Sequence, residues 1–294
     1  MPACTCSVAL PIYNEAANLG ALLTMLSREP EIETVIGVDD HSTDDSFEIL
    51  RSAQGRDSKI VALQNPERSG QLAAWILAAK SARTDVIAFV DADAIPDRGA
   101  IASLVRTIES DPTVVAASGR VVPDRVSGRW PAARFRASIL HRVRALGYPK
   151  EAIIGRFFAV RRTWFIDSIA RPDIIANDAY VGALAARAKL AVRYVPEAVC
   201  RFAEANSVFD FAAQRQRADA GYAQLQQLGV LREEDGPRPQ DYLRALIAEG
   251  LRDPIGALAW IALQVRSRSL RAYRPSGRDA GAWEVQATTK RSIE

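Results

Sequence analysis

Val86-Ile87-Ala88-Phe89-Val90-Asp91-Ala92-Asp93 decides the fold: an uncharged apolar run that ends abruptly in two carboxylates. The run is too short for a helix and rich in branched and aromatic residues, so it reads as a strand that delivers Asp91 and Asp93 to a sheet edge. Alternate residues on an extended segment point to one side, so both aspartates face a single ligand. A hard divalent cation such as Mn²⁺ or Mg²⁺ takes one or two such oxygens from protein while a diphosphate supplies others. A solvated acidic turn before Pro96 is the plain alternative, and the triplet alone does not choose between the two.

Outward from this strand, the first 120 residues repeat one unit. The spacing predicts strands over Cys6 to Leu10, Thr34 to Val38, Lys59 to Leu63, Asp85 to Val90 and Thr113 to Ala117. Between them, Ala16 to Leu26, Asp44 to Ala53, Gly70 to Ala82 and Arg98 to Ser110 carry apolar residues at spacings of three and four, the period of a helix with one buried face. Strand and helix in alternation predict an α/β fold with a mostly parallel sheet. Ser42 or Thr43 is the expected cap of the second helix. Ligands of such sheets bind beyond the carboxyl ends of the strands. There the sequence places Pro11-Ile12-Tyr13-Asn14-Glu15, Asp39-Asp40-His41-Ser42 and Asp91-Ala92-Asp93, so three strands bring carboxylates to one edge. A carboxylate accepts the N3 hydrogen of uracil or an amino hydrogen of another base, which suits Asp39 or Asp40 to a nucleotide. Helix capping is the competing role for their neighbours Ser42 and Asp44.

Past residue 120 the alternation weakens. The arginine-rich stretch Arg120 to Arg144, broken by Gly, Pro and Trp, reads as a loop with a short helix. A strand over Ile153 to Val160, helices over Thr163 to Ile169 and Ala179 to Ala188, a closing strand over Ala191 to Val195 and a helix over Phe209 to Leu228 follow. The break at Gly236-Pro237-Arg238-Pro239 divides a catalytic domain, 1–235, from a helical C-terminal extension, 236–294. Within the domain, 1–120 is the expected nucleotide-binding half and 121–235 the acceptor half.

Composition excludes several classes. A net charge of +3 on 294 residues is too small for a nucleic-acid binder. Cys4, Cys6 and Cys200 are too few and too irregular for a disulfide framework or a zinc site. No charged leader precedes an apolar run, and Pro254 to Val265 falls short of the roughly 20 residues that cross a bilayer. A cytoplasmic protein without a membrane-spanning helix is expected.

Together the motifs resemble the family 2 glycosyltransferases of the GT-A fold, a Rossmann-like three-layer sandwich that binds nucleotide-diphospho-sugars. Pro11-Ile12-Tyr13-Asn14-Glu15 is similar to that family's P-x-Y-N-E, Val38-Asp39-Asp40-His41-Ser42-Thr43-Asp44 to its V-D-D-G-S-x-D, and Val90-Asp91-Ala92-Asp93 to its metal motif. The resemblance covers roughly residues 5 to 220. It implies an inverting transfer of a sugar from a UDP- or GDP-sugar to an acceptor hydroxyl, with Mn²⁺ or Mg²⁺, in glycolipid, exopolysaccharide or other surface glycoconjugate synthesis. It also implies roles: Pro11, Tyr13 and Glu15 for base and ribose, Asp40 for the base, Asp91 for the sugar or ribose, and Asp93 for the metal. Arg68-Ser69-Gly70-Gln71 stands where members often have N-x-G-K, so Gln71 puts a neutral amide in place of a cation and Arg68 is the substitute.

An inverting enzyme needs a carboxylate to take the acceptor proton. Asn177-Asp178 is similar to the family's E-D pair with Asn for Glu, which makes Asp178 the candidate base; a helix N-cap is its other reading. Gln214-Arg215-Gln216-Arg217-Ala218 resembles the Q-x-x-R-W of processive members, with Ala218 for the Trp, so single transfer is expected and Arg217 is a candidate phosphate ligand. His41 replaces the usual Gly, and neither His41 nor His141 is assigned a catalytic role.

Two alternatives stay open: a sugar nucleotidyltransferase, which would carry a Gly-rich basic loop after the first strand, and a non-catalytic sugar-nucleotide-binding protein. In the extension, apolar residues from Tyr242 to Tyr273 recur at helical spacing, flanked by Arg252, Arg266, Arg268, Arg271 and Arg274. Packing on the domain, a homodimer interface and peripheral contact of residues 242–274 with the cytoplasmic face of the inner membrane, next to a lipid-linked acceptor, all fit. Trp283 to Arg291 reads either as a lid or as a flexible tail.

Overall fold

The computed structural model of the chain describes residues 5–147, 153–171, 173–205, 207–232 and 238–270. Cys4, the Gly236-Pro237 part of the break, Arg271, Arg274 and Trp283 to Arg291 lie outside the described residues. The sheet has eight strands: β1 (Cys6–Ile12), β2 (Ile32–Asp39), β3 (Ile60–Gln64), β4 (Val86–Val90), β5 (Ala94–Pro96), β6 (Val114–Pro123), β7 (Phe157–Arg161) and β8 (Ala191–Phe202). Their order is β3-β2-β1-β4-β7-β6-β8-β5. The pairs among β1 to β4 and the β6·β8 pair are parallel, whereas β7 runs antiparallel to both β4 and β6 and β5 antiparallel to β8.

Alternation along the central strands builds two cores. Val8 and Leu10 of β1 and Val86, Ala88 and Val90 of β4 point to one face, where α1 (Ala16–Ser27), α2 (Ser46–Arg56) and α4 (Ala100–Glu109) bury Leu23, Leu50 and Leu104. Ala9, Ile87 and Phe89 point to the other, under α3 (Gln71–Ser81), α6 (Arg162–Ser168) and α7 (Asn177–Arg187). There Phe89 meets Trp75, Phe158 and Phe165 at ring-centroid distances of 5.2, 4.8 and 5.0 Å. The result is the expected α/β three-layer sandwich with a mostly parallel mixed sheet. Cys6 lies in the core of β1, and burial pushes its thiol up to about 12.

Several elements differ from their expected extents. Arg120 to Arg144 is not a loop with a short helix: β6 continues to Pro123, and a full helix, α5 (Pro131–Arg144), follows a 3-10 turn over Ser127–Arg129. Pro131 occupies the first turn, where its missing N–H costs nothing, and Phe135, Ile139 and Val143 share one buried stripe. β8 is twelve residues long because its second half pairs with both β6 and the unforeseen β5. The described residues of the extension form two helices, α9 (Pro239–Arg252) and α10 (Pro254–Arg268), after α8 (Val208–Gln227). They dock through Ala245, with Leu246, Ala257 and Trp260, onto the stripe of α5. No described helix is long and apolar enough to cross a membrane.

Candidate active site

The carboxyl ends of β1 and β4 open on a cavity of about 350 Å³. Pro11, Tyr13 and Glu15 line it after β1, Asp91, Ala92 and Asp93 after β4, and Gln71, Asn177 and Asp178 at the starts of α3 and α7. From the far side α8 contributes Gln214, Arg217 and Ala218, and α5 contributes Arg136 and Arg144. Residues distant in sequence and singled out by type therefore share one wall.

Asp91 and Asp93 are joined by a residue the sequence did not single out. In the antiparallel β4·β7 register Val90 stands opposite Phe157, and the Asp91 N–H donates to the Arg156 carbonyl at 3.0 Å. Arg156 then donates through Nη1 to both oxygens of Asp93, at 2.9 and 3.1 Å, and lies 3.7 Å from Asp91. Its guanidinium also rests 4.5 Å over the Phe202 ring. Burial, and next the charge of Asp93, push the Asp91 carboxyl up to about 7. Arg156 and the Gln71 hydrogen bond work the other way, and Asp178 adds to the rise. Burial opposes the Arg156 charge, but Asp93 and Asp91 outweigh it and hold the guanidinium protonated.

Gln71 Nε2 donates to Asp91 Oδ1 at 2.8 Å, and Gln71 Oε1 accepts from Asn177 Nδ2 at 3.1 Å. Asp178 is not the N-cap of α7; that place belongs to Ala176, and Asp178 sits inside the first turn. Backbone N–H groups of Gly155 and Ala179 donate to Asp178 Oδ2 and Oδ1 at 3.2 and 2.8 Å and fix its rotamer. The side chain remains part of the cavity wall.

The pair Asp39-Asp40 is not part of this wall, and neither residue is exposed. Asp40, expected at the base, is engaged with the chain itself. It accepts from Asn65 Nδ2 at 2.7 Å and from the Ser69 and Gly70 N–H groups at 2.8 and 2.9 Å. These bonds hold the loop that carries Arg68 and presents Gln71, with Gly70 at φ 86°. Asp39 Oδ2 accepts from Ser42 N and Gln64 Nε2 at 3.2 and 3.0 Å, while its Oδ1 is buried with no partner among the described residues. Arg68 stacks 4.2 Å above the Tyr13 ring.

Ser42 and Thr43 do not cap α2. Ser42 Oγ accepts from Asn14 N at 3.0 Å, and Thr43 N donates to Asn14 Oδ1 at 2.8 Å. These contacts tie together two loops whose Asn14 and His41 have φ of 56° and 60°. His41 thus occupies a left-handed conformation that glycine adopts at no steric cost.

As for the metal, two carboxylates beside one cavity are a donor set that a hard cation accepts. Among the described residues no three His, Cys, Asp or Glu side chains group closely enough to hold an ion by themselves. An ion on Asp91 and Asp93 would need further oxygens from a ligand, and Arg156 would have to release Asp93. On those terms the residues fit. Arg136, Arg144 and Arg156 are the charged wall residues that the sequence reading missed. The arginine density of 120–144 was a signal for the first two, and for Arg156 there was none short of the strand register.

The family model described as "Glycosyl transferase family 2" matches residues 7–168. An undecaprenyl-phosphate 4-deoxy-4-formamido-L-arabinose transferase of Pseudomonas syringae pv. syringae is 34% identical over 131 residues, 42% of this chain and 39% of that protein. The match thus spans about two fifths of that relative's length. Among solved structures, a mannosyltransferase of Pyrobaculum calidifontis in complex with GDP-Man and Mn²⁺ superposes with a TM-score of 0.60 at 23% identity, over 91% of this chain and 76% of the other. Glucosyl-3-phosphoglycerate synthase of Mycobacterium tuberculosis, in complex with Mn²⁺ and UDP, gives 0.55 at 18% identity, over 78% and 81%. Both likenesses are of fold.

Proposed function

The chain belongs to glycosyl transferase family 2, and from that premise we propose that it moves a sugar, with inversion, from a nucleoside-diphosphate donor to an acceptor hydroxyl. One observation carries the reading: Asp91, Asp93 and Asp178 line a single cavity together with Tyr13 and Glu15. That combination supports a donor diphosphate, an acceptor and a base within reach of each other. A divalent cation, Mn²⁺ or Mg²⁺, on Asp93 and Asp91 supplies, when bound, Lewis-acid stabilisation of the charge on the leaving diphosphate.

The chain's own residues account for the rest. Asp178, its carboxylate fixed by two backbone N–H groups, accepts the proton of the attacking hydroxyl. Tyr13 and Glu15 bound the nucleoside end, and Asp39, whose buried Oδ1 has no partner among the described residues, is better suited than Asp40 to a base N–H. Arg156 and Arg217 are the cations at hand for diphosphate charge, the guanidinium being matched to phosphate oxygens. Ala218 stands where the resemblance puts the Trp of polymerising members, which supports transfer of a single sugar.

The name of the Pseudomonas relative couples sugar transfer to undecaprenyl phosphate, and this supports a lipid-linked acceptor here. The location that goes with it is the cytoplasmic face of the inner membrane. A panel of UDP- and GDP-sugars incubated with Mn²⁺ and the protein tests the reading. Release of nucleoside diphosphate, abolished in Asp178→Ala but kept in an exposed control such as Glu48→Ala, supports it. Release of pyrophosphate from a nucleoside triphosphate and a sugar phosphate would assign the chain to the nucleotidyltransferases instead.

A further inference from the structure

Helices α9 and α10 are amphipathic in an unusual sense: their inward faces are fully used, and their outward faces are as apolar as a core. Inward, Ala245, Leu246, Ala257 and Trp260 pack on Phe135, Ile139 and Val143 of α5, and Trp260 meets Phe211 of α8 edge-on at 5.4 Å. Outward, Leu243, Ile247 and Leu251 follow one another every four residues on α9, with Leu251 82% exposed. Ile255, Leu258, Ile261 and Val265 continue at spacings of three and four on α10, with Ile255 and Leu258 70 and 69% exposed. The two stripes adjoin in sequence at the Asp253 corner, with Leu251 and Ile255 two residues to either side of it. Exposed apolar patches of this size mark a contact surface.

Charge says which surface. Arg244 and Arg252 expose 77 and 70% of their side chains, and Arg238, Arg266 and Arg268 are exposed as well. Two of the three acidic residues of the pair are withdrawn. Asp241 and Glu249 expose 12 and 13% of their side chains, Glu249 bound by Arg142 and Arg252. Asp253 accepts the Gly256 N–H at 2.8 Å and lies 3.9 Å from Arg134. An apolar stripe rimmed by exposed cations, with Asp241 and Glu249 turned inward and Asp253 35% exposed beside Arg134, complements an anionic bilayer and not an average protein surface.

We propose that the outward face of α9 and α10 lies on an anionic lipid bilayer and seats the cavity beside the membrane surface. The same helical layer makes this useful. α5 and α8, against which the pair packs, carry Arg136, Arg144 and Arg217 on the cavity wall, so a lipid-anchored acceptor with a phosphate head would meet cations on its way from the bilayer to Asp178. Only that last clause rests on the transferase reading; binding of the face to lipid does not.

The test uses the full chain, without donor or metal, in flotation with phosphatidylcholine vesicles containing a third of phosphatidylglycerol. Binding is expected there, and at least tenfold weaker binding to pure phosphatidylcholine. Leu251→Ser with Leu258→Ser, both at exposed positions, should release the protein from anionic vesicles. Arg244→Glu should weaken binding by about fivefold or more, as loss of one cation near a charged surface predicts. Absence of binding to anionic vesicles would overturn the proposal. So would binding untouched by the paired serine variant, or a dimer in sedimentation that this variant dissolves while vesicles go unbound. Donor turnover measured on parallel samples with donor and Mn²⁺ separates failure here from failure of the transferase reading.

Discussion

Asn177 Nδ2 donates to Gln71 Oε1 at 3.1 Å, so the two positions where this chain departs from its family's charged residues touch each other. A neutral amide pair stands where the family resemblance puts a cation and a carboxylate, and Gln71 passes the contact on to Asp91. The departures are therefore one exchange and not two losses.

Asn177→Glu alone should destabilise the protein by roughly 2–3 kcal/mol, because it adds a charge at a position 4% exposed and close to Asp91 and Asp178. Gln71→Lys in the same chain should recover at least about 1 kcal/mol of that, as coupled neighbours do. Urea denaturation of the four proteins measures the coupling. Strictly additive effects would show that the two positions act separately.

Asp40 is read here as the anchor of the loop that presents Gln71. Asp40→Ala leaves the Asn65 side chain and two backbone N–H groups without an acceptor, and should cost about 3 kcal/mol with no nucleotide present. A variant of unchanged stability that has lost only nucleotide affinity would return Asp40 to the base contact.

At His41 the backbone has φ 60°, a conformation that costs an L-residue roughly 1–2 kcal/mol. Part of the gain from glycine is offset by its freer unfolded chain. His41→Gly should still stabilise by about 0.5–1 kcal/mol, seen as a higher melting temperature. A lower one would mean that the imidazole holds the loop through contacts of its own.

Much of this was legible because the signals are local. The alternation around Val8 to Leu10 and Val86 to Val90, and the polar residues just past those strands, follow from a period of two and a chain that must turn at the sheet edge. Arg156 was hidden because its place depends on Val90 facing Phe157 across an antiparallel pair, and no short window of sequence carries such a register. α5 was hidden for another reason. Gly128, Trp130 and Pro131 read as interruptions, although Pro131 opens the helix and the stripe of Phe135, Ile139 and Val143 finds its partner only in Ala245, over a hundred residues away. The conformations of Asn14 and His41 come from the hydrogen bonds between their two loops, which are also non-local.

Asp91 sets a pH dependence. Its carboxyl is raised in the folded protein from 3.8 to about 7, so between those values the native state holds a proton that the unfolded chain has lost. Stability from this group is therefore present at low pH and declines as pH rises through that window. Asp91→Asn should remove this part of the slope. Melting curves of both proteins from acid to neutral pH check it, and parallel curves would mean that Asp91 ionises normally.

In the proposed reaction Asp91 and Asp93 hold a donor diphosphate through a divalent ion. Calorimetric titration of the protein with UDP and with GDP, each with and without Mn²⁺, addresses that most directly. Binding of one of them that needs the ion, and that weakens at least tenfold in Asp93→Asn, an effect of about 1.4 kcal/mol or more, is the predicted result. Binding of neither nucleotide in the presence of Mn²⁺, or binding indifferent both to the ion and to Asp93→Asn, would contradict it.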